Sequence, residues 1–429
     1  MVAFAVRTMF VASVLAVPVC AFAQGSIAGT VKDTSGAVLP GVTVEVASPV
    51  LIEKVRTAVT DGSGQYRIVD LRPSTFSITF TLTGFSVVKR EGIELTGAFN
   101  ATVNADLRVG ALEETITVTG EGAIVDVQSA ARTAVVDQAL IAAIPSSRTP
   151  FSIAGLMPAV TYNAPGGPGQ DLGGSNAISL ASLAAFGGRA GDMRTNVDGL
   201  STNNSEGSGQ FAAWMPNMSS AQEITFDLSG GTAERPTGGV FVNVIPRDGG
   251  NTFSGTFFAN GTGEWQSSNF SDDLRARGLT TPNAIQKIYD VNGGAGGPLL
   301  LNRVWFYSAA RRQVQNSYAG GFANRNEGDP NAWTYEPDPE RRNTNPGLQW
   351  GYNGRLTWQA SARNKVSVYY DKQYRCLCPR NVTSLNSAEA NSSFENPYTE
   401  FSTATWSSPV TNRFLVDAGW SHHPEKWQY

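Results

Sequence analysis

Apolar and polar residues alternate with a period of two through much of the first hundred positions, and this alternation predicts short strands. Gly41–Ala47 and Phe76–Leu82 are the clearest examples. Asp33–Gly36 and Asp61–Gly64 contain the residue types that tight turns prefer. About seven such strands follow one another at intervals of roughly eight to twelve residues, and no helical period competes with them. This spacing favours a β-sandwich.

A second alternating region runs from residue 247 to residue 429 and contains most of the Trp and Tyr residues. Within 353–360, Leu356 and Trp358 lie on one face of the predicted strand and Arg355 on the other. An Arg or Lys side chain at the middle of a bilayer costs about 2–4 kcal/mol. We therefore expect the apolar face to contact outer-membrane lipid and the charged face to contact a wet interior. Strand 365–371 follows the same pattern, whereas 303–311 has aromatic residues on both faces.

The connections in this region alternate in length. Leu300–Arg303 and Ser361–Asn364 are short turns. The connections over Gly261–Asn283, Asn316–Pro346 and Tyr374–Asn396 are long and polar. Short turns on one side and long loops on the other are typical of outer-membrane barrels. A soluble sandwich is the alternative, but it explains only the alternation within strands.

The number of predicted barrel strands is about seven, over 253–260, 285–297, 303–314, 349–360, 363–373, 399–407 and 411–421. Spanning barrels close with at least about eight strands. An open sheet would leave the backbone groups of its edges unpaired in lipid. We therefore expect these 429 residues to be a fragment, with further strands after Tyr429.

Residues 1–23 have the organisation of a secretory signal peptide. Arg7 precedes an apolar run, and Ala21–Ala23 fits the rule of small residues before a cleavage site. Cleavage before Gln24 would leave a mature chain that has been exported from the cytoplasm. An N-terminal membrane anchor, or a lipoprotein modified at Cys20, are the alternatives.

Composition excludes several classes of function. The chain has 32 basic and 36 acidic residues, a net charge of −4, and no basic stripe, so we expect no nucleic-acid binding. His422 and His423 are its only histidines, which argues against histidine-based metal hydrolysis and a Ser-His triad. Cys376 and Cys378 favour a strained loop disulfide or two free thiols over a metal site. We predict no catalytic residues, metal or cofactor; a secreted sugar-active enzyme is the weakest alternative.

Four segments within residues 24–110 resemble the carboxypeptidase regulatory-like domain: Gly29–Gly36, Leu39–Val44, Thr60–Tyr66 and Leu71–Pro73. Ser74 departs from the family pattern, which usually has Gly there. Such sandwiches are not the catalytic part of a carboxypeptidase, and this segment contains no histidine to ligate zinc. The resemblance implies a periplasmic spacer or docking module; sugar binding stays open.

Residues 111–120 contain a strictly alternating, β-branched segment between glycines. Such a segment suits strand addition to the sheet edge of another protein, although it also fits a last strand of the sandwich. It resembles a TonB box, by which a TonB-type periplasmic energy-transducing protein grips TonB-dependent outer-membrane transporters. That resemblance implies six partner-binding residues: Glu114, Thr115, Ile116, Thr117, Val118 and Thr119.

Residues 121–246 resemble the α+β plug of the same transporters. Gly188–Gly191 with Val197–Gly199 corresponds to the plug's Arg-Gly and Val-Asp-Gly pattern. We expect a helix over Val135–Ile144 and strands over Ala221–Phe226 and Gly238–Ile245. No dinucleotide or Walker fingerprint occurs.

Residues 247–429 resemble the Oar-like subgroup of TonB-dependent transporters, most closely at Asp248–Gly255 and Gly294–Tyr307. The implied fold is mainly β: an N-terminal sandwich, a plug, and the first strands of a transmembrane antiparallel barrel. The implied function is import of an unknown ligand, such as a siderophore, oligosaccharide or peptide, across the cell outer membrane. An outer-membrane adhesion or carbohydrate-binding protein is the alternative. Three loop aromatics are candidates for ligand contact or for the interfacial girdle: Trp265, Trp333 and Tyr335.

Overall fold

The computed structural model of the chain describes most of the sequence from residue 25 onward. The predictions for the signal peptide at 1–23 and for Glu114 lie outside the described residues. Within the described part, no helix is both long and apolar enough to cross a membrane. The described residues are 25–48, 51, 54–71, 74–95, 100–110, 115–119, 132–144, 146–164, 167–168, 178, 181–203, 214–231, 235–265, 270–361, 363–383, 385–411 and 414–428.

The N-terminal strands are β1 (Gly25–Asp33), β2 (Thr43–Ala47), β3 (Val55–Val59), β4 (Gln65–Leu71), β5 (Ser74–Thr81), β6 (Val87–Leu95), β7 (Asn100–Thr102), β8 (Ala105–Leu107) and β9 (Thr115–Thr119). They form a sheet of order β4-β1-β7, in which β8 also pairs with β1, and a sheet of order β3-β2-β5-β6-β9. Val44, Ile78 and Phe80 are fully buried in one shared core. The predicted β-sandwich is confirmed. The sequence pattern missed β3 because this strand buries none of its residues.

Gly29 of β1 is required by a close approach of the backbone. A Cβ atom at this position would lie 1.9 Å from the carbonyl oxygen of Val103. That oxygen accepts a hydrogen bond from the buried hydroxyl of Tyr66 at 2.7 Å, and the backbone N–H of Val103 donates to Ala28 at 2.8 Å. The absence of a side chain at Gly29 therefore lets the segment before β8 dock onto β1.

The plug contains β10 (Arg132–Asp137), α1 (Gln138–Ala143), α2 (Pro150–Ala154), β11 (Val160–Ala164), β12 (Gly167–Pro168), β13 (Ser182–Ala185), β14 (Arg194–Val197), β15 (Leu200–Ser201), β16 (Ala221–Ser229) and β17 (Phe241–Pro246). Its larger sheet has the order β10-β16-β17-β14-β15, and its smaller sheet the order β12-β11-β13. The predicted strand over Ala221–Phe226 is confirmed within β16, whereas the one predicted from Gly238 begins at Phe241.

The helix predicted over Val135–Ile144 is wrong at its start. Val135 and Val136 belong to β10, where they pair with Thr225 and Ile224 of β16. β-Branched residues suit a strand better than a helix. Asp137 then caps α1, because its carboxylate accepts a hydrogen bond from the backbone N–H of Leu140 at 2.8 Å.

The C-terminal elements are β18 (Ser254–Gly263), α3 (Asp272–Ala276), β19 (Ala284–Leu300), β20 (Val304–Asn324), β21 (Pro337–Ser361), β22 (Asn364–Leu377), β23 (Phe394–Pro409), β24 (Leu415–His422) and β25 (Glu425–Gln428). Neighbours along the chain pair antiparallel from β18 to β24, and β25 also pairs with β23. We call this eight-stranded sheet the barrel wall.

The two faces of the barrel wall differ as predicted. Leu356 is 44% exposed and its cross-strand partner Val368 is 47% exposed. Arg355 and Thr357, on the opposite face, are buried, and Arg355 contacts Asp198 of the plug. The structure also phases β20, because Trp305, Tyr307 and Ala309 are buried on its inner face.

The long connections are shorter than the sequence pattern predicts. β20 extends to Asn324 and β21 begins at Pro337, so the predicted loop over Asn316–Pro346 reduces to residues 325–336. β22 and β23 likewise extend into the segment predicted as a loop over Tyr374–Asn396. The polar residues in these extensions lie in strands whose backbone groups pair across the sheet. The alternation of short and long connections remains.

We predict that Gly29→Ala destabilises the sandwich by about 3 kcal/mol, since an added methyl group must displace the Val103 backbone. The matched control is Gly62→Ala, because a Cβ there has no atom within 4 Å. The measurement is the urea concentration at which the sandwich loses protease resistance in the intact chain. Equal midpoints for the two variants would contradict the prediction.

Candidate functional site

Asp198 lies at the tip of a tight hairpin between β14 and β15. Its φ is +50° and that of Gly199 is +80°, as a two-residue turn with two left-handed positions requires. The backbone N–H of Asp198 donates to Val244 at 3.1 Å, and that of Gly199 donates to Asn243 Oδ1 at 2.9 Å. The Val197–Gly199 motif therefore holds one carboxylate in a fixed position at the edge of the plug.

Arg355 of β21 joins this carboxylate to a second one. Its Nη1 contacts Asp198, and its Nε lies 2.5 Å from Asp248 Oδ1. Asp248 also accepts a hydrogen bond from Thr357 Oγ1 at 2.9 Å, and Lys365 Nζ lies 3.4 Å from its Oδ2. The side chains of Arg355 and both aspartates are at most 5% exposed. We call Asp198, Asp248, Arg355 and Lys365 the charge cluster.

The charge cluster contains two positive and two negative groups, so its formal charges balance. Burying a charge without a partner is costly, and breaking a buried ion pair typically costs about 3–5 kcal/mol. The geometry therefore specifies where the plug sits, because sliding it along the wall would leave Arg355 or an aspartate unpaired. Asp198 comes from the plug, whereas Arg355 and Lys365 come from the barrel wall.

A second charged contact lies on β19 and β20. Arg311 forms a bidentate ion pair with Asp290, with Nε–Oδ1 and Nη2–Oδ2 distances of 3.0 and 2.7 Å.

A cation–π contact joins the plug to the first strand of the wall. Arg148 of the plug lies over the ring of Phe258 in β18, 3.7 Å from its centroid. Burial lowers the pKa of Arg148, Asp290 raises it, and the like charge of Arg311 lowers it further.

Neutral hydrogen bonds add to the contact between plug and wall. Gln373 Nε2 donates to the carbonyl of Met215 at 2.6 Å, and its Oε1 accepts from Met215 N–H at 3.0 Å. The hydroxyl of Tyr307 donates to the carbonyl of Ser219 at 3.1 Å. The side-chain amide thus replaces the strand partner that the Met215 backbone lacks.

One apolar cluster crosses the same interface. Trp214 and Val197 of the plug pack with Tyr369 and Phe401 of the wall. The rings of Trp214 and Phe401 have centroids 5.6 Å apart. Because both rings are almost fully buried, they exclude water from this end of the interface.

The segment that resembles a TonB box is β9, an edge strand of the sandwich. It runs parallel to β6, with Thr115 opposite Val87 and Thr119 opposite Glu91. The backbone geometry therefore agrees with the alternative in which this segment is a strand of the sandwich. Its alternating pattern does form a strand, as the sequence predicts.

The candidate ligand-contact residues lie on the long connections. Trp333 is 93% exposed and Trp265 is also exposed. The side chain of Tyr335 is held by a hydrogen bond, because its hydroxyl donates to the carbonyl of Phe322 at 2.8 Å. Cys376 and Cys378 form a disulfide. The described residues contain no group of three metal-ligating side chains.

The sequence alone identified some members of this interface and missed others. Asp198 belongs to a motif, and Arg355 and Lys365 fall on the face predicted to avoid lipid. No local signal pairs Asp198 with Arg355, which is 157 positions away. A search for charges on the inner face of predicted strands, balanced by charges at plug turns, would have found the cluster.

Comparison with known proteins identifies relatives of this chain. Residues 26–108 match the model of the carboxypeptidase regulatory-like domain. The chain is 30% identical over 297 residues to the TonB-dependent transporter Oar of Myxococcus xanthus, an alignment that covers 67% of this chain. The chain spans 27% of the length of that relative.

Solved structures of a receptor and of an outer-membrane transporter also match. A ferric enterobactin receptor of Pseudomonas aeruginosa aligns with a TM-score of 0.46 and 14% identity, over 69% of this chain and 41% of that one. The outer-membrane transporter YddB of Escherichia coli aligns with a TM-score of 0.45 and 13% identity, over 68% and 39%. On the sequence match to Oar, this chain is a homologue of the TonB-dependent transporters, with a carboxypeptidase regulatory-like domain at its N-terminal end.

Proposed function

We propose that the protein is a TonB-dependent outer-membrane receptor that moves a ligand across the outer membrane. In this proposal residues 1–23 direct export, 24–110 form the periplasmic sandwich, 111–120 hold the TonB box, 121–246 form the plug, and 247–429 contribute barrel strands. The observation that carries the proposal is the charge cluster, which fastens an internal domain to the inner face of a wall whose outer face is apolar. The protein makes or breaks no covalent bond in this function.

The plug's sheet order suggests how a pull would act. Force on residues 114–119 would reach the plug at Arg132, the start of β10, which is an edge strand paired only with β16 among the described strands. The hairpin that carries Asp198 forms the opposite edge of the same sheet. A pull would therefore separate β10 from β16 first. The ion pair between Asp198 and Arg355 would still keep the opposite edge of the sheet in place. Partial opening of the plug is the expected result.

The pairing of β9 with β6 defines the state from which a TonB-type protein would have to take this segment. An edge strand is hydrogen-bonded to a neighbour on one side only. Release of β9 therefore breaks only its bonds to β6 and leaves the sandwich core in place. The ligand is unidentified: a siderophore, an oligosaccharide and a peptide all fit a receptor of this kind.

We predict that Thr117→Pro abolishes energised uptake and weakens binding to the periplasmic domain of the TonB-type protein at least tenfold. Proline removes a backbone donor from the strand that the partner must pair with. Thr117→Ser keeps the donor and should behave as the wild type. Pull-down and ligand uptake are the measurements. Full uptake with Thr117→Pro would contradict this role, and lost uptake with retained binding of TonB would place the defect elsewhere.

Deleting residues 114–119 separates transport from adhesion. A transporter should lose uptake and keep surface binding of its ligand, because the extracellular connections are unchanged. An adhesion protein should show the same surface binding with no uptake before or after the deletion. Uptake that survives the deletion would exclude a TonB box at this position.

We also predict that Leu356→Arg lowers the amount of assembled protein in the outer membrane, since an Arg on the lipid face costs about 2–4 kcal/mol near the midplane. Leu356→Ala is the matched control, because it removes the same apolar side chain without adding charge. Assembly is measured as the fraction of heat-modifiable protein in outer-membrane extracts. Equal assembly of the two variants would show that water, and not lipid, surrounds this face.

A further inference from the structure

A cleft of about 390 Å³ lies between the sandwich and the short-turn end of the barrel wall. Strands β3 and β4 form one side of it, and the ends of β20, β21, β22 and β23 form the other. Its volume lies in the range of small-molecule sites. Its lining residues are Val55–Ala58, Arg67–Val69, Asn302, Trp305, Gln359, Arg363, Lys365, Ser407 and Pro409.

The charges around this cleft are all of one sign. Arg56 and Arg67 come from the sandwich, and Arg363 and Lys365 come from the wall. None of the described residues that line the cleft is acidic. The ammonium group of Lys365 is already paired with Asp248, so the guanidinium groups of the cleft supply the positive charge that would attract an anion.

Hydrogen bonds hold part of this arrangement in place. Arg56 Nη1 donates to the carbonyl of Val69 at 2.7 Å, and Arg363 Nη1 donates to the carbonyl of Val410 at 3.1 Å. The Nε of Arg67 is buried and has no hydrogen-bond partner in the described part of the chain.

We propose that this cleft binds a phosphate ester. The phosphate would lie among the four cations, and the organic part of the molecule would pack against the apolar residues that line the cleft. Guanidinium groups match the oxygens of a phosphate with paired hydrogen bonds. Three guanidinium groups and one ammonium group suit a dianion better than a single carboxylate. Val55, which is 43% exposed, supplies apolar surface for the rest of the molecule. Binding of a phosphate ester in this cleft does not depend on contact with a TonB-type protein.

Lys365 links this cleft to the charge cluster, because the same ammonium group lines the cavity and lies 3.4 Å from Asp248 Oδ2. A phosphate in the cleft would compete with Asp248 for that cation. The ligand would also bridge the sandwich and the wall, since each contributes two of the four cations. A bound ligand would thus fix the sandwich against the short-turn end of the barrel wall.

The test is isothermal titration of phenyl phosphate into the purified full-length protein in a neutral detergent. We expect saturable binding that weakens as salt increases. Arg67→Gln and Arg363→Gln should each weaken binding at least tenfold, and Arg67→Lys should lie between Arg67→Gln and the wild type. Arg277→Gln, on an exposed arginine of a long connection, is the control and should leave binding unchanged.

Further titrations identify the source of the phosphate. Tighter binding of phenyl phosphate than of inorganic phosphate supports a soluble ester, whereas selective retention of phosphatidylglycerol over phosphatidylcholine in nanodiscs supports a lipid headgroup. Benzoate that binds as tightly as phenyl phosphate would overturn the assignment to phosphate. No binding by the folded wild type, or equal binding by Arg67→Gln, Arg363→Gln and Arg277→Gln, would overturn the site itself. Heat-modifiability of each variant establishes that it is folded.

Discussion

The guanidinium of Arg355, buried between the carboxylates of Asp198 and Asp248, is the interaction on which the rest of the structure depends. Such a group is stable away from water only if its counter-charges stay in place. Asp198 is held by a hairpin tied to β17, and Arg355 by its position in β21. The plug and the wall therefore fix each other's position. A plug with a purely apolar surface could slide, whereas this one has a defined register.

The same constraint explains why the wall has two different faces. Residues that point inward, such as Arg355 and Gln373, meet hydrogen-bond partners supplied by the plug. Residues that point outward, such as Leu356 and Val368, are apolar and exposed, as a lipid-facing surface requires. The charged side chains could not be moved to the outer face without a large cost in free energy. The division between the faces follows from solvation on each side.

Much of the fold could be predicted from the sequence because the period of two is a local signal. The faces of β21 and β22 follow directly from residues two apart, as do the sandwich strands β2 and β5. Strand β3 has the opposite pattern, since Val55 and Val59 are exposed and Arg56 lies on its half-buried face. The predicted start of α1 is wrong because Val135 favours a strand locally and pairs with Thr225 of β16, which is distant in sequence. The pairing of Asp198 with Arg355 is non-local, and no pattern within either segment specifies it.

The most direct measurement is hydrogen–deuterium exchange of the membrane-inserted protein, comparing the wild type with Arg355→Gln. Arg341→Gln, in an exposed ion pair, is the control. We predict that amides of β14 and β17 exchange as slowly as those of β21 in the wild type. In Arg355→Gln they should exchange about a hundredfold faster, while β21 and β22 stay protected. Unchanged protection of β14 and β17 in Arg355→Gln would contradict a plug held by its buried charges.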